Sequence, residues 1–169
     1  MINALEDAFV HELSDMYNAE KQIVKTLPKV IKMTSDLRLR EALERHAEET
    51  ESQVRRIEQT FDVLGRKART VKCEGMKGIL DEGETALDKK MPPETRDALI
   101  VAACQKVEHY EIATYGTLCA WADQLGFGQP ASLLKQNLAE EKNADQLLTA
   151  CAAKINSEAE RLPASQESV

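Results

Sequence analysis

Residues 98–122 read ALIVAACQKVEHYEIATYGTLCAWA, and this stretch decides how the rest of the chain is interpreted. Apolar residues recur in it at three- and four-residue spacing, which is typical of a helix that contributes to a core. Glu108 and Glu111 lie on the same apolar seam, three residues apart and therefore on one face. A lone carboxylate there costs several kcal/mol in desolvation unless it is paired or binds a metal ion. The stretch therefore predicts a buried helix with either a metal site or a buried ion pair at its centre.

Carboxylates interrupt the apolar seams of two other long segments in the same way. In residues 9–30 the seam is broken by Glu20, and in residues 134–155 by Glu141 and Asp145. Glu141 and Asp145 are four residues apart, so a helix projects both from one face. Several carboxylates that converge at one height are what a metal site inside a helical bundle requires.

The second long segment carries an imidazole on its seam. His46 lies between Leu43 and Thr50 in that seam, and Glu49 lies at its edge. Two interpretations of His46 stay open, a metal ligand or a structural histidine with satisfied hydrogen bonds. Glu49 is likewise either a ligand or a solvated surface residue.

The expected turns bring these positions to matching heights. A turn near residue 35 places the partner of Glu20 near residue 50, next to Glu49. A turn near residue 128 places Glu111 opposite Asp145. Both antiparallel hairpins therefore set carboxylate against carboxylate.

Together these positions predict a site for two iron or manganese ions. Oxygen ligands suit hard or borderline cations, and a histidine favours iron or manganese over calcium. Tyr17 and Tyr115 lie one turn from candidate ligands and either pack in the core or hydrogen-bond a ligand carboxylate, whereas His109 lies off the seam. The candidate ligands are Glu20, His46, Glu49, Glu108, Glu111, Glu141 and Asp145.

The seams and their breakers predict an all-α, ferritin-like four-helix bundle with an additional short helix in a long crossover. Asn3 is the expected N-cap of the first helix, with Glu6 as its capping-box partner, and Pro28 is expected to kink that helix rather than end it. Gly65 is the expected C-terminal cap of the second helix. The short helix is weakly amphipathic, so we do not expect it to belong to the main bundle. The predicted helices span residues 3–33, 37–64, 75–89, 93–125 and 130–161.

Length and composition predict one domain at residues 1–162, followed by a flexible tail at residues 163–169. Apolar residues make up 43% of the chain and charged residues 30%, with a net charge of −7. No basic face stands out, which argues against a nucleic-acid partner. Helix 98–122 has so few charges that it is also expected to pack against a second subunit, in a homodimer.

The cysteines and the absence of long apolar runs predict a cytoplasmic protein. The chain has four cysteines and no C-x-x-C pair, which is typical of reduced, buried thiols. We find no signal peptide at the N-terminus. The longest wholly apolar run, Ala98 to Cys104, is far too short to span a bilayer, so no membrane association is expected.

Four segments resemble the YciF-like family of bacterial stress proteins over roughly residues 4–155. The stretch around Glu108 to Gly116 is the most specific of them. The resemblance implies a stress-associated, dimeric helical protein with a rubrerythrin-like fold and a di-metal site. The segments are LSDMYNAEKQ at residues 13–22, HAEET at 46–50, QKVEHYEIATYG at 105–116 and LAEEK at 138–142.

A rubrerythrin-like site also implies a ligand set. Such sites use a Glu, a Glu-x-x-His, a Glu-x-x-Glu and a further Glu-x-x-His from successive bundle helices. The glutamates have counterparts here, but Ser52 and Ala144 occupy the two histidine positions. His46 instead precedes Glu49 by three residues, and the resulting site is richer in oxygen ligands.

Three functions are compatible with these features. The first is a ferritin-like stress protein that oxidises Fe(II) or consumes peroxide, as a ferroxidase, a peroxidase or a catalase. Because the chain has no C-x-x-C centre, its electron donor would be external. The second is a non-enzymatic stress protein that binds a partner, and the third is a metal-buffering module without turnover.

Overall fold

The computed structural model describes Ile2 and residues 4–161, and every regular element in this part of the chain is an α-helix. The predicted all-α class is therefore confirmed. The predicted cap Asn3 and the tail at 163–169 lie outside the described residues. The helices are α1 (Leu5–Met33), α2 (Leu37–Val63), α3 (Glu74–Leu87), α4 (Pro93–Gln124) and α5 (Gly128–Glu160).

Four of the helices form a closed bundle. α1 packs on α2, α2 on α5, α5 on α4 and α4 on α1, so the two hairpins lie side by side around one core. The core contains fully buried side chains from all four helices, including Leu13, Leu39, Leu118 and Leu134. This is the ferritin-like arrangement that the seams predict, because each seam faces the common axis.

The ends of the helices agree with the sequence signals to within two residues. Pro28 lies inside α1, and Asp36 caps α2 by accepting hydrogen bonds from the amides of Arg38 and Leu39. Gly65 has a φ of 65°, the left-handed conformation expected just past a helix end. Helix α5 begins two residues before the predicted start, at Gly128.

Helix α3 lies outside the four-helix core, as predicted, and packs on α4 and α1. The helix approaches α4 closely at Gly75. A Cβ on Gly75 would lie 2.8 Å from the ring of Tyr110. The segment that leads into α3 is tied to α1, because the amide of Val71 donates to the carbonyl of Ser14 at 3.0 Å and the amide of Cys73 donates to Asn18 Oδ1 at 2.9 Å.

The apolar character of α4 has an explanation within the chain. This helix packs on α5, α3 and α1. Its low charge therefore does not by itself require a second subunit, and the homodimer stays a prediction. The four cysteines are free thiols, and among the described residues no helix combines the length and the apolar character needed to cross a membrane.

A buried carboxylate joins the two hairpins near the α1–α2 turn. Asp97 of α4 is only 3% exposed. It accepts hydrogen bonds from the amide of Ser35 at 2.9 Å and from the amide of Asp36 at 2.7 Å. A charged acceptor thus satisfies two amides of the turn, and this fixes the first hairpin against the second.

Replacing Asp97 is expected to destabilise the whole bundle. Asp97→Ala leaves both turn amides without their acceptor and should lower the free energy of unfolding by about 1–3 kcal/mol. Urea denaturation followed by circular dichroism measures the change. Asp97→Asn, which keeps one acceptor oxygen, should lose less, and Glu44→Ala on the exposed face of α2 should lose almost nothing. Equal midpoints for Asp97→Ala and Glu44→Ala would contradict this role.

Candidate metal centre

Four side chains from three helices meet at the middle of the bundle. They are His46 of α2, Glu108 and Glu111 of α4, and Glu141 of α5. Each offers one ligand atom, and these four atoms lie within 4.8 Å of one another. All four side chains are buried, with exposures between 0 and 5%. His46 Nε2 lies 3.5 Å from Glu108 Oε1.

Glu20 of α1 joins the same cluster from the fourth helix of the bundle. Its side chain is fully buried, and it interacts electrostatically with Glu111 and Glu141. The hydroxyl of Tyr115 donates a hydrogen bond to Glu20 Oε1 and accepts one from Asn137 Nδ2 at 2.9 Å. Of the two roles left open for Tyr115, the structure therefore shows the hydrogen bond to a candidate ligand.

A second chain of hydrogen bonds orients Glu141. Gln53 Nε2 donates to Glu141 Oε1 and also to Glu140 Oε2, the latter at 3.1 Å. Glu140 forms a two-pronged ion pair with Arg56 at 2.5 and 2.8 Å, and Arg56 also donates to Asn137 Oδ1 at 2.5 Å. Glu20 and Glu141 are thus held by one polar network, which leads to the half-buried edge of the bundle.

The remaining ligand atoms have no partner among the described residues. Both oxygens of Glu111 lack a hydrogen bond, as do both ring nitrogens of His46. One oxygen each of Glu20, Glu108 and Glu141 is also unpaired. Buried polar atoms are normally satisfied, so such a concentration of unpaired polar atoms requires an explanation. A cation at the centre would take the free carboxylate oxygens and one nitrogen of His46 as ligands, and this donor set of carboxylates and one imidazole suits iron or manganese.

Burial also changes the protonation of the carboxyl groups. Desolvation raises the pKa of Glu20, Glu108 and Glu111 well above the usual value of 4.5, and repulsion from Glu141 raises each of them further. Without a cation, the folded protein therefore holds protons in this cluster that the unfolded chain would release. A metal ion that binds here displaces them.

The other two predicted ligands lie at the edge of this group. Glu49 has a side-chain exposure of 25%, and its Oε2 lies 4.0 Å from His46 Nδ1. Asp145 has an exposure of 24% and accepts a hydrogen bond from Gln105 Nε2 at 3.2 Å. It also lies 3.2 Å from Nε2 of the exposed His109. Neither belongs to the four-residue group, and their assignment as ligands stays a prediction.

Of the residues that orient the ligands, the sequence indicates Tyr115 but not the others. Gln53 and Asn137 are buried polar residues on the core faces of α2 and α5, and both lie within one turn of a seam position. The position of these two polar residues on core faces was the sequence feature that could have indicated their role. The pair of Arg56 and Glu140 gave no signal, because charged residues on a half-exposed helix face are common in any bundle. Tyr17 differs from Tyr115, since its hydroxyl donates to Glu58 at 2.6 Å, away from the cluster.

Comparison with known proteins places the chain in a family. The family described as a domain of unknown function, DUF892, matches residues 4–160. The chain belongs to the DUF892 family. Protein YciF of Escherichia coli (strain K12) is 44% identical over 161 residues, which make up 94% of this chain and 97% of that protein. The resemblance inferred from the four motifs is therefore confirmed.

Solved structures of DUF892 relatives share the fold. The crystal structure of the E. coli stress protein YciF has a TM-score of 0.89 at 42% identity, covering 93% of this chain and 99% of that one. YcfI from Rhodopseudomonas palustris has a TM-score of 0.86 at 42% identity, covering 88% of this chain and 94% of that one.

The metal-free protein is expected to lose stability as the pH rises. Glu20, Glu108 and Glu111 have pKa values above 4.5 in the folded state, so the folded protein binds more protons than the unfolded chain at pH values above 4.5. The free energy of unfolding then falls by up to about 1.4 kcal/mol per pH unit for each such proton. Thermal denaturation of chelator-treated protein should give a lower Tm at about pH 8 than at about pH 5.

Glu111→Gln is the matched variant for this measurement. It removes one titrating carboxyl group from the centre and should flatten the decline in Tm. A wild-type Tm that rises steadily over this pH range, or a slope that Glu111→Gln leaves unchanged, would contradict the assignment.

Proposed function

We propose that this DUF892 protein is a ferritin-like stress-response protein that binds two iron or manganese ions in its core and oxidises Fe(II) or consumes peroxide. The observation that carries the proposal is the set of unpaired ligand atoms on Glu20, His46, Glu108, Glu111 and Glu141, all buried at one height of the bundle. A core that served packing alone would hold apolar side chains at these positions.

The residues divide naturally between two ions. His46, Glu108, Glu111 and Glu141 would hold one ion, and Glu20, which interacts with Glu111 and Glu141, would complete the site for the second. Redox-active ions bound there supply the electrons that reduce the O–O bond of oxygen or peroxide. The protein keeps Glu20 and Glu141 in place through Tyr115 and Gln53.

One observation favours the non-enzymatic alternatives. The raised pKa values of Glu20, Glu108 and Glu111 allow protons to neutralise the cluster, so the bundle can fold without a metal ion. A partner-binding stress protein or a metal-buffering module would then use the same architecture. Metal content separates the partner-binding function from the other two, and oxygen- or peroxide-dependent turnover separates an enzyme from a metal buffer.

Oligomeric state and location belong to the same proposal. We propose a homodimer on the strength of the resemblance to YciF-like proteins, and a cytoplasmic location because all four cysteines are free thiols. The electron donor would be external, since the chain contains no C-x-x-C centre.

Elemental analysis tests the centre directly. Protein purified without added chelator or metal should contain close to two iron or manganese ions per chain, and Glu108→Ala and Glu111→Ala should lose them because each removes a core ligand. Glu48→Ala, an exposed glutamate on α2, should keep the wild-type content.

A metal-free wild type, even after anaerobic loading with Fe(II) and Mn(II), would overturn the metal-binding proposal. Full metal content in both Glu108→Ala and Glu111→Ala would place the ions elsewhere. Circular dichroism of each variant checks that a variant without metal still has the helical fold.

Tyr115→Phe tests whether the hydrogen bond to Glu20 supports the centre. Removal of a hydroxyl that orients a ligand should weaken Mn(II) binding about 10- to 100-fold, with little change in volume. Isothermal titration calorimetry measures the affinity. Tyr17→Phe removes a hydroxyl that bonds Glu58 instead, and it should bind Mn(II) as the wild type does. Equal affinities for the two variants would contradict the role of Tyr115.

A further inference from the structure

A cavity of about 440 Å³ lies between α1, α3 and α4. Its volume falls within the range of roughly 300–1,000 Å³ that is typical of small-molecule sites. Residues of α3 form one wall, so the crossover helix that stands outside the bundle encloses this space. The cavity reaches the metal centre, because His46 and Glu108 are among its lining residues.

The walls of the cavity are largely aliphatic. Aliphatic side chains line the cavity from each of the helices α1, α3 and α4, and most of these side chains are buried. Since exposed aliphatic surface is costly in water, a space of this kind favours an apolar occupant. Examples are Ile23 and Leu27 of α1, Leu80 and Leu87 of α3, and Ile100 and Val107 of α4.

The charges that line the cavity are balanced. Three exposed lysines contribute to the lining, together with three exposed acidic residues of α3 and its C-terminal end. Two opposite pairs are joined, with Lys29 Nζ 2.5 Å from Glu84 and Lys77 bonded to Asp81. A rim with no net charge selects neither anions nor cations. The six residues are Lys25, Lys29, Lys77, Asp81, Glu84 and Asp88.

Gln22 and Thr26 also line the cavity, but both make hydrogen bonds, to Asn18 and the carbonyl of Cys73 and to the carbonyl of Gln22, respectively. The polar groups without partners lie at the inner end. Both ring nitrogens of His46 and Oε2 of Glu108 are buried without hydrogen-bond partners among the described residues. His46 is also the one residue of α2 that lines the cavity, so the space passes between α1 and α4 to the bundle centre. A molecule that fills the aliphatic part of the cavity can therefore place one polar group within hydrogen-bonding reach of the unpaired atoms of His46 and Glu108.

We propose that this cavity is a binding site for an uncharged small molecule that has an apolar body and one polar end, such as an aliphatic alcohol or a phenol, with the polar end at His46 and Glu108. The role of this ligand rests on the proposed function, because the ligand would be a substrate or an effector of the metal centre. The binding itself involves residues that are present without metal.

Fluorescence titration of the metal-free protein with N-phenyl-1-naphthylamine tests the cavity. This uncharged probe should bind saturably with blue-shifted emission, and 1-octanol should displace it. Val30→Phe and Ala103→Phe enlarge lining side chains from two different helices and should weaken probe binding about tenfold or more. Val24→Phe makes the same change on α1 at a half-buried position outside the lining, and it should bind the probe as the wild type does.

The orientation of the ligand is tested by NMR on the same metal-free protein. The carbinol protons of bound 1-octanol should show nuclear Overhauser effects to the ring protons of His46, whereas the terminal methyl should not. His109, with a side-chain exposure of 69%, should show none and serves as an internal control.

Four results would overturn the proposal. The first three are the absence of saturable binding, equal binding by Val24→Phe and both cavity variants, and contact of the terminal methyl rather than the carbinol end with His46. Probe affinity that falls as the protein concentration rises would show that a second copy of the chain covers the cavity, and this too would overturn it. None of these measurements uses metal, so a failure here is distinct from a failure to find metal in the elemental analysis.

Discussion

The structure depends on how the mutual repulsion of four buried carboxyl groups is relieved. Glu20, Glu108, Glu111 and Glu141 converge from three helices, and no lysine or arginine among the described residues enters their midst. Arg56 comes nearest in the hydrogen-bond network, but it neutralises Glu140 at the edge. The charge at the centre must therefore be balanced by protons or by metal ions. The groups that would bind metal are therefore also the groups that lower the stability of the metal-free fold.

The polar groups around the cluster hold the carboxylates without neutralising them. Tyr115 and Gln53 donate neutral hydrogen bonds to Glu20 and Glu141, and Asn137 links Tyr115 to Arg56. Such bonds fix one oxygen of a carboxylate and leave the other free. Preorganisation of this kind lowers the cost of assembling a metal site, because the ligands lose little freedom when the ion arrives.

The crossover gives the bundle a second compartment. Helix α3 packs on α1 and α4, and at Gly75 an added Cβ would lie 2.8 Å from the ring of Tyr110. Elsewhere along α3 the helices stand apart and enclose the aliphatic cavity that ends at His46. Helix α3, which the sequence predicts outside the main bundle, thus forms the outer wall of the cavity that leads to the centre of the bundle.

The sequence by itself determined the all-α class, the order of the helices and the family, because a seam with a 3.6-residue period and a distinctive motif are both local properties. It also marked the seam residues Glu20, His46, Glu108, Glu111 and Glu141, all of which the structure buries at one height. The tertiary structure added contacts between helices. Asp145 accepts a hydrogen bond from Gln105, which lies on the neighbouring helix α4, and this contact depends on how α4 and α5 pack. The contact of Asp97 with the α1–α2 turn and the cavity behind α3 depend on how distant helices cross, and no local spacing encodes that geometry.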